Sequence, residues 1–189
     1  MRLFETLGAW VADVHEPTVK LRLADNSRHH GWHAELLAER LPTVRELHPD
    51  VQTSAPNAEF EGFIAAMTEL RGPDAPLDQL TATYRVLVPH LIAAQTWHLE
   101  RCTPVADAAV IRTLGFILAD EIADWRAAEV VLQAWCSDPA AQRRASDIRL
   151  RFDDLLAASG GISGPTTWVD PHDAVVRSSS GAADVDVLG

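Results

Sequence analysis

Positive charge is what this chain is shortest of. Sixteen Lys and Arg stand against 27 Asp and Glu, the formal net charge is −11, and Lys20 is the only lysine. An acidic chain without a basic stripe is unsuited to nonspecific contact with nucleic acid or an anionic membrane, so no nucleic-acid partner is expected. Long apolar runs are missing too. None reaches the roughly 18–20 residues of a membrane span. The N-terminal run MRLFETLGAWVADVHEP carries Glu5 and Asp13 and lacks the continuous apolar stretch and cleavage site of a secretory signal. A cytoplasmic location is the default expectation. Cysteine is scarce: Cys102 and Cys136 each fall at the end of a predicted long helix. If those helices are antiparallel neighbours, the thiols lie at opposite ends, about 45–50 Å apart at ~1.5 Å per residue. That is far beyond disulfide reach, so both read as free. No dinucleotide fingerprint, P-loop or nucleophile elbow is present, and no internal repeat.

What the chain does have is a helical period along most of its 189 residues, enough for one domain with a substantial core. Leu3, Leu7, Trp10, Val11 and Val14 share one side of a predicted helix over 2–15. Pro17 or Thr18 opens a second, which runs to Leu41 and stops at Pro42. A proline-punctuated loop covers 42–56. A shorter helix follows over 57–71, with Asn57 as its cap. Long helices are predicted over 77–101, with Pro89 inside as a kink, and over 104–136. Asp138-Pro139 opens a last helix that Gly160-Gly161 closes. The expectation is an all-α, antiparallel four-helix bundle with additional short helices over residues 1–161. An irregular tail covers 162–189, with Trp168 docked and the end disordered.

Histidine supplies the one chemical signal. His29, His30 and His33 crowd into the run SRHHGWHAELLAERLP. Neighbours at i, i+3 and i, i+4 share a helix face, so two imidazoles can aim at one point. The inward stripe of that helix reads Val19, Leu23, Asn26, His30, His33, Leu37 and Leu41. On the 104–136 helix, Glu121 is a lone carboxylate in an apolar row, with Asp124 one turn on. Counting residues from each turn places Glu5, His30, His33, Tyr84, Glu121 and Asp124 at compatible heights in one central layer. His98 falls about 20 Å away along its helix and is excluded. Glu5, His30, His33, Glu121 and Asp124 are the candidate metal ligands, and Tyr84 is the candidate catalytic side chain, as redox partner or hydrogen-bond donor. Imidazole and carboxylate suit iron (Fe), Mn or Zn, with an open position for oxygen activation or hydrolysis. The other reading is an ion-paired layer with no metal, in which Arg28, Arg85, Arg112 or Arg126 neutralises the carboxylates. Buried carboxylates need some such compensation.

The segments SRHHGWHAELLAERLP and LADEIADWRAAEVVLQ resemble those of small ferritin-like helical proteins. The resemblance covers the helical body, about residues 2–158. It implies a four-helix core, carboxylate-bound iron and oxidoreductase activity on a small-molecule substrate. The chain departs from that family's pattern of two lone Glu and two Glu-x-x-His, offering His30-x-x-His33 and Glu121-x-x-Asp124 instead. One ion, rather than two, is what these ligands would hold. A weaker resemblance, through the histidine cluster, is to DinB-type bundles, which implies a three-histidine metal site and thiol-dependent transfer or hydrolysis. A third expectation is a non-catalytic scaffold whose six tryptophans build core or interface. A homodimer is the expected assembly.

Overall fold

The structure, a computed structural model, describes residues 1–41, 53–72 and 75–164. Among these residues every regular element is helical and there is no strand. α1 (Arg2–Asp13) and α2 (Pro17–Ala38) are joined by a short turn. The Glu16 side chain accepts from Val19 N–H to cap α2, and Pro17 sits in the first turn, where its missing N–H costs nothing. α3 (Ala58–Thr68) begins at Asn57, whose Oδ1 accepts from Phe60 N–H at 2.8 Å. α4 (Ala75–Thr81) passes into a π-helical segment (Ala82–Leu87) and on into α5 (Val88–Arg101). α6 (Ala108–Trp135) is the longest helix. α7 (Pro139–Ala158) opens at Asp138, whose Oδ1 accepts from Ala140 and Ala141 N–H at 2.8 and 3.0 Å.

α7 ends where the two glycines predict. Gly160 and Gly161 have φ of 77° and 84°. Gly161 N–H reaches Leu156 O at 2.9 Å and Gly160 N–H reaches Ala157 O at 3.0 Å, the paired bonds of a left-handed helix cap that glycine adopts without strain. Thr103-Pro104 behaves differently from expectation. Residues 103–107 form a turn in which Asp107 Oδ2 accepts from Thr103 N–H at 2.8 Å, and α6 starts only at Ala108. The predicted loop from 42 lies mostly outside the described residues, as does the tail from 165 on, Trp168 included.

Contacts fix the helix directions. Ser27 Oγ donates to Phe4 O at 2.9 Å, and Gly31 lies under the Phe4 ring, where an added Cβ would stand 3.1 Å from a ring carbon. α1 and α2 are therefore antiparallel and tightly apposed. α2 runs parallel to the α4–α5 helix and antiparallel to α6, so it lies between α1 and α6. α3 packs on α1 and α7, and Phe63 and Phe152 meet edge to face with ring centroids 5.7 Å apart. The core joins these elements through Trp10, Leu23, Met67, Leu80, Leu132 and Leu156, all fully or almost fully buried. Cys102 and Cys136 are free and follow the antiparallel helices α5 and α6. No described helix is long and apolar enough to cross a membrane.

Pro89 is expected to kink its helix, and the structure shows a widened turn there. Val88 N–H pairs with Thr83 O, five residues back. In that register Tyr84 O would meet the N–H of residue 89, which proline lacks. The freed carbonyl accepts instead from Trp125 Nε1 of α6 at 2.9 Å. His90 Nδ1 satisfies Val86 O at 2.8 Å. The π segment thus ties α6 to the backbone beside Tyr84.

Candidate metal centre

Three buried side chains converge between α2 and α6. His30 Nδ1 and His33 Nδ1 each lie 3.0 Å from the same oxygen, Glu121 Oε1. One ligand atom from each of the three falls within 4.8 Å of the others. The spacing that brings them together is simple: His30 and His33 are three apart on one face of α2, and Glu121 lies on the apolar row of α6 that meets it. Glu121 is 1% exposed, which makes its charge the most demanding feature of the core.

The histidines supply the compensation. Burial pushes the Glu121 carboxyl up, but hydrogen bonds and charge from His30 and His33 outweigh it and bring the group down to about 2. Burial likewise pulls His33 down, and the carboxylates of Glu121 and Asp120 more than reverse this, so its pKa is raised. A carboxylate only accepts, so His33, with Nδ1 on Glu121 and Nε2 3.2 Å from Asp120 Oδ2, carries both N–H groups as an imidazolium. Two of the four arginines considered from sequence go elsewhere, while Arg28 lies 3.4 Å from His29 Nε2 at the edge of the layer. Arg85 makes a bidentate pair with Glu129 at 2.7 and 3.1 Å, and Arg112 lies over the Phe116 ring.

The donor set fits a metal ion. Adjacent ligands about 2.1 Å from an octahedral ion stand about 3.0 Å from each other, which is the spacing of both histidine nitrogens from Glu121 Oε1. Two imidazoles and one carboxylate are the ligands of nonhaem Fe(II) sites with open positions. Were His33 Nδ1 to bind an ion, its Nε2–H would donate to Asp120, the outer carboxylate that metal-bound histidines use. Two buried atoms of the cluster, Glu121 Oε2 and His30 Nε2, have no hydrogen-bond partner.

The remaining predicted residues lie around this group or away from it. Asp124 is one turn along α6, but its Oδ2 is 2.6 Å from His29 Nδ1, and it does not belong to the converging three. Glu5 is not brought in. It is exposed and paired at 3.7 Å with Arg2. Its height on α1 is suitable, but Thr6, Leu7 and Trp10 form the buried face and Glu5 points away from it. Tyr84 is fully buried, and its hydroxyl accepts from Asn26 Nδ2 at 2.6 Å, one turn from His30. Burial, reinforced by Asp124, raises the Tyr84 pKa far above its usual range, so the phenol keeps its proton. His98 lies near the end of α5 beside Trp97, away from the three. Nothing in the sequence points directly to Asp120, nor to the pairing between His29 and Asp124, although it marks both members of that pair. For His29 the i, i+4 spacing to His33 was a signal, and their rings stack with centroids 6.1 Å apart. Asp120 had none beyond adjacency to Glu121.

No protein-family model matches this chain, and neither does any curated protein or any solved structure.

Proposed function

We propose that His30, His33 and Glu121 hold one divalent first-row metal ion, Fe(II) first and Mn or Zn in the same ligands, and that the protein is a metal-dependent oxidoreductase. The observation that carries this reading is the convergence of two imidazole nitrogens on one buried carboxylate oxygen, each at 3.0 Å. A single-ion variant of a ferritin-like bundle accommodates the departure from the two-metal carboxylate pattern. When bound, such an ion supplies Lewis acidity and, as iron, one-electron chemistry with oxygen. The protein's own residues have clear tasks. Glu121 offers the negative charge and a free second oxygen. Asp120 orients the His33 ring and holds its outer proton. Tyr84, kept neutral, supplies a hydroxyl to the same interior. The His29–Asp124 pair, part-exposed, links the layer to the surface.

One observation favours a second reading. His33 has a carboxylate at each nitrogen, and an imidazolium so placed already neutralises part of the layer. On that reading the chain is a metal-free helical scaffold. A DinB-type site gains less support, because the third imidazole, His29, is engaged with Asp124.

Elemental analysis of the purified protein, after reconstitution with Fe(II), Mn(II) or Zn(II) and desalting, separates the two. The expected result is about one ion per chain, abolished by Glu121→Ala or His33→Ala and retained by His98→Ala. Metal-free protein under all three loadings would overturn the metal reading.

A further inference from the structure

A cavity of about 250 Å³ opens beside the metal-binding candidates, with His30 and His33 both on its wall. Most of the remaining lining is apolar, including Leu37, Ile64, Leu87 and Leu91. Besides the histidines, two wall residues break the pattern: Arg2, which is exposed and paired with Glu61 and Glu5, and Gln95. Gln95 is 8% exposed, and its Oε1 has no hydrogen-bond partner. A second cavity, of about 340 Å³, shares Leu37, Leu91 and Gln95 with the first. Gln95 therefore stands where two apolar spaces adjoin.

An unpaired amide oxygen in such surroundings is costly to maintain, and an O–H or N–H group from a ligand would satisfy it. Small-molecule sites are built this way, from apolar walls and a few placed polar atoms. Gln95 and both histidines line the same cavity, so one molecule can touch the amide and the imidazoles together. At ~30 Å³ per water-sized volume, the first cavity holds a molecule of about eight non-hydrogen atoms.

We infer that this cavity binds a small, mainly apolar molecule carrying one hydroxyl or N–H group, which donates to Gln95 Oε1 while the apolar body lies against His30 and His33. This deepens the proposed function by naming a substrate class. The reactive end rests on the metal reading, whereas binding itself does not.

Calorimetric titration with a matched pair of probes tests it. 1-Hexanol has a donor, and methyl pentyl ether has the same heavy atoms without one. The wild-type protein, with Zn(II) added and again after chelation, is expected to bind the alcohol about tenfold more tightly than the ether, because a site built around a hydrogen bond rejects the analogue that cannot make it. Gln95→Leu should shrink that preference to less than about twofold, and Gln95→Met repeats the comparison if the Leu variant fails to fold. Ile64→Trp, which fills the cavity, should abolish binding of both probes. No binding to the wild-type protein, no preference for the alcohol, a preference that survives in Gln95→Leu, or undiminished binding in Ile64→Trp would each overturn the inference. A preference kept in protein that takes up no metal would sink the metal reading alone. A metal-loaded protein without the preference would sink the cavity inference alone.

Discussion

The contact of α3 with α7 and the contact of α2 with α6 are both made by buried side chains, yet their chemistry is opposite. Phe63 and Phe152 meet as dry rings, each fully buried. His30, His33 and Glu121 meet as polar, ionisable groups at almost the same depth. The aromatic contact gains its energy from area and shape, whatever the pH. The polar contact is favourable only when its protons, or an ion, are in the right place. The α3–α7 layer therefore has the character of a foundation, and the α2–α6 layer that of a site.

The sharpest way to break this contrast is to empty the aromatic side. Phe152→Ala removes a fully buried ring and leaves a cavity, for an expected loss of about 3–5 kcal/mol. Urea unfolding checks it, and the loss should be the same at pH 6 and pH 8. A pH-dependent loss would show that the two layers are coupled.

The polar side should respond to chemistry more than to volume. In the metal-free protein, Glu121→Leu leaves buried N–H groups of His30 and His33 without an acceptor, for a loss of about 2 kcal/mol. The cost is held down because His33 can shed its proton. Glu121→Gln keeps an acceptor oxygen and should lose less. Equal losses in the two variants, measured by the same urea midpoints, would mean that Glu121 acts there only as filler.

The contrast was only partly legible in the chain. Helix ends were readable because Pro17, Asn57, Asp138 and Gly160-Gly161 act locally through capping and φ. Glu121 was readable because a carboxylate in an apolar row has to meet something. Glu5 misled, since counting along a helix gives height but not direction, and two residues from Leu7 is nearly the opposite face. Asp120 was hidden because it is the tertiary approach of α2, not its own neighbours, that gives it a partner. The π segment left no trace in the pattern either: its register emerges only from the Thr83–Val88 bond and the indole of Trp125.

A finer contrast lies in pH. Glu121 is depressed from 4.5 to about 2 in the folded protein, so its contribution is fully present above pH 4.5 and is lost as pH falls through 2. His33 is raised above 6.5, so its contribution is fully present below pH 6.5 and is lost as pH rises through the raised value. Both hold together between about pH 4.5 and 6.5. Metal-free wild-type protein should lose urea stability from pH 6 to pH 9, and His33→Gln should lose less over the same interval. Parallel profiles for the two proteins would show that His33 is not the titrating group.

The smallest expected effect concerns the join between the π segment and α6. Pro89 leaves Tyr84 O without its helical donor, and Trp125 Nε1 takes the place at 2.9 Å. Trp125 is part of the wall around the core, so replacing it changes packing as well as the hydrogen bond, and the single variant cannot separate them. A double-mutant cycle can. Trp125→Phe removes the indole N–H from a carbonyl that then has no donor. In a Pro89→Ala background, the new backbone N–H of residue 89 can reach the same carbonyl, so the packing loss remains while the hydrogen-bond loss is covered. The expected coupling is about 0.5–1 kcal/mol, with Trp125→Phe milder in the Pro89→Ala background than beside the native proline. Strict additivity of the two substitutions would show that the indole contributes only its bulk, and that the carbonyl freed by Pro89 is satisfied in another way.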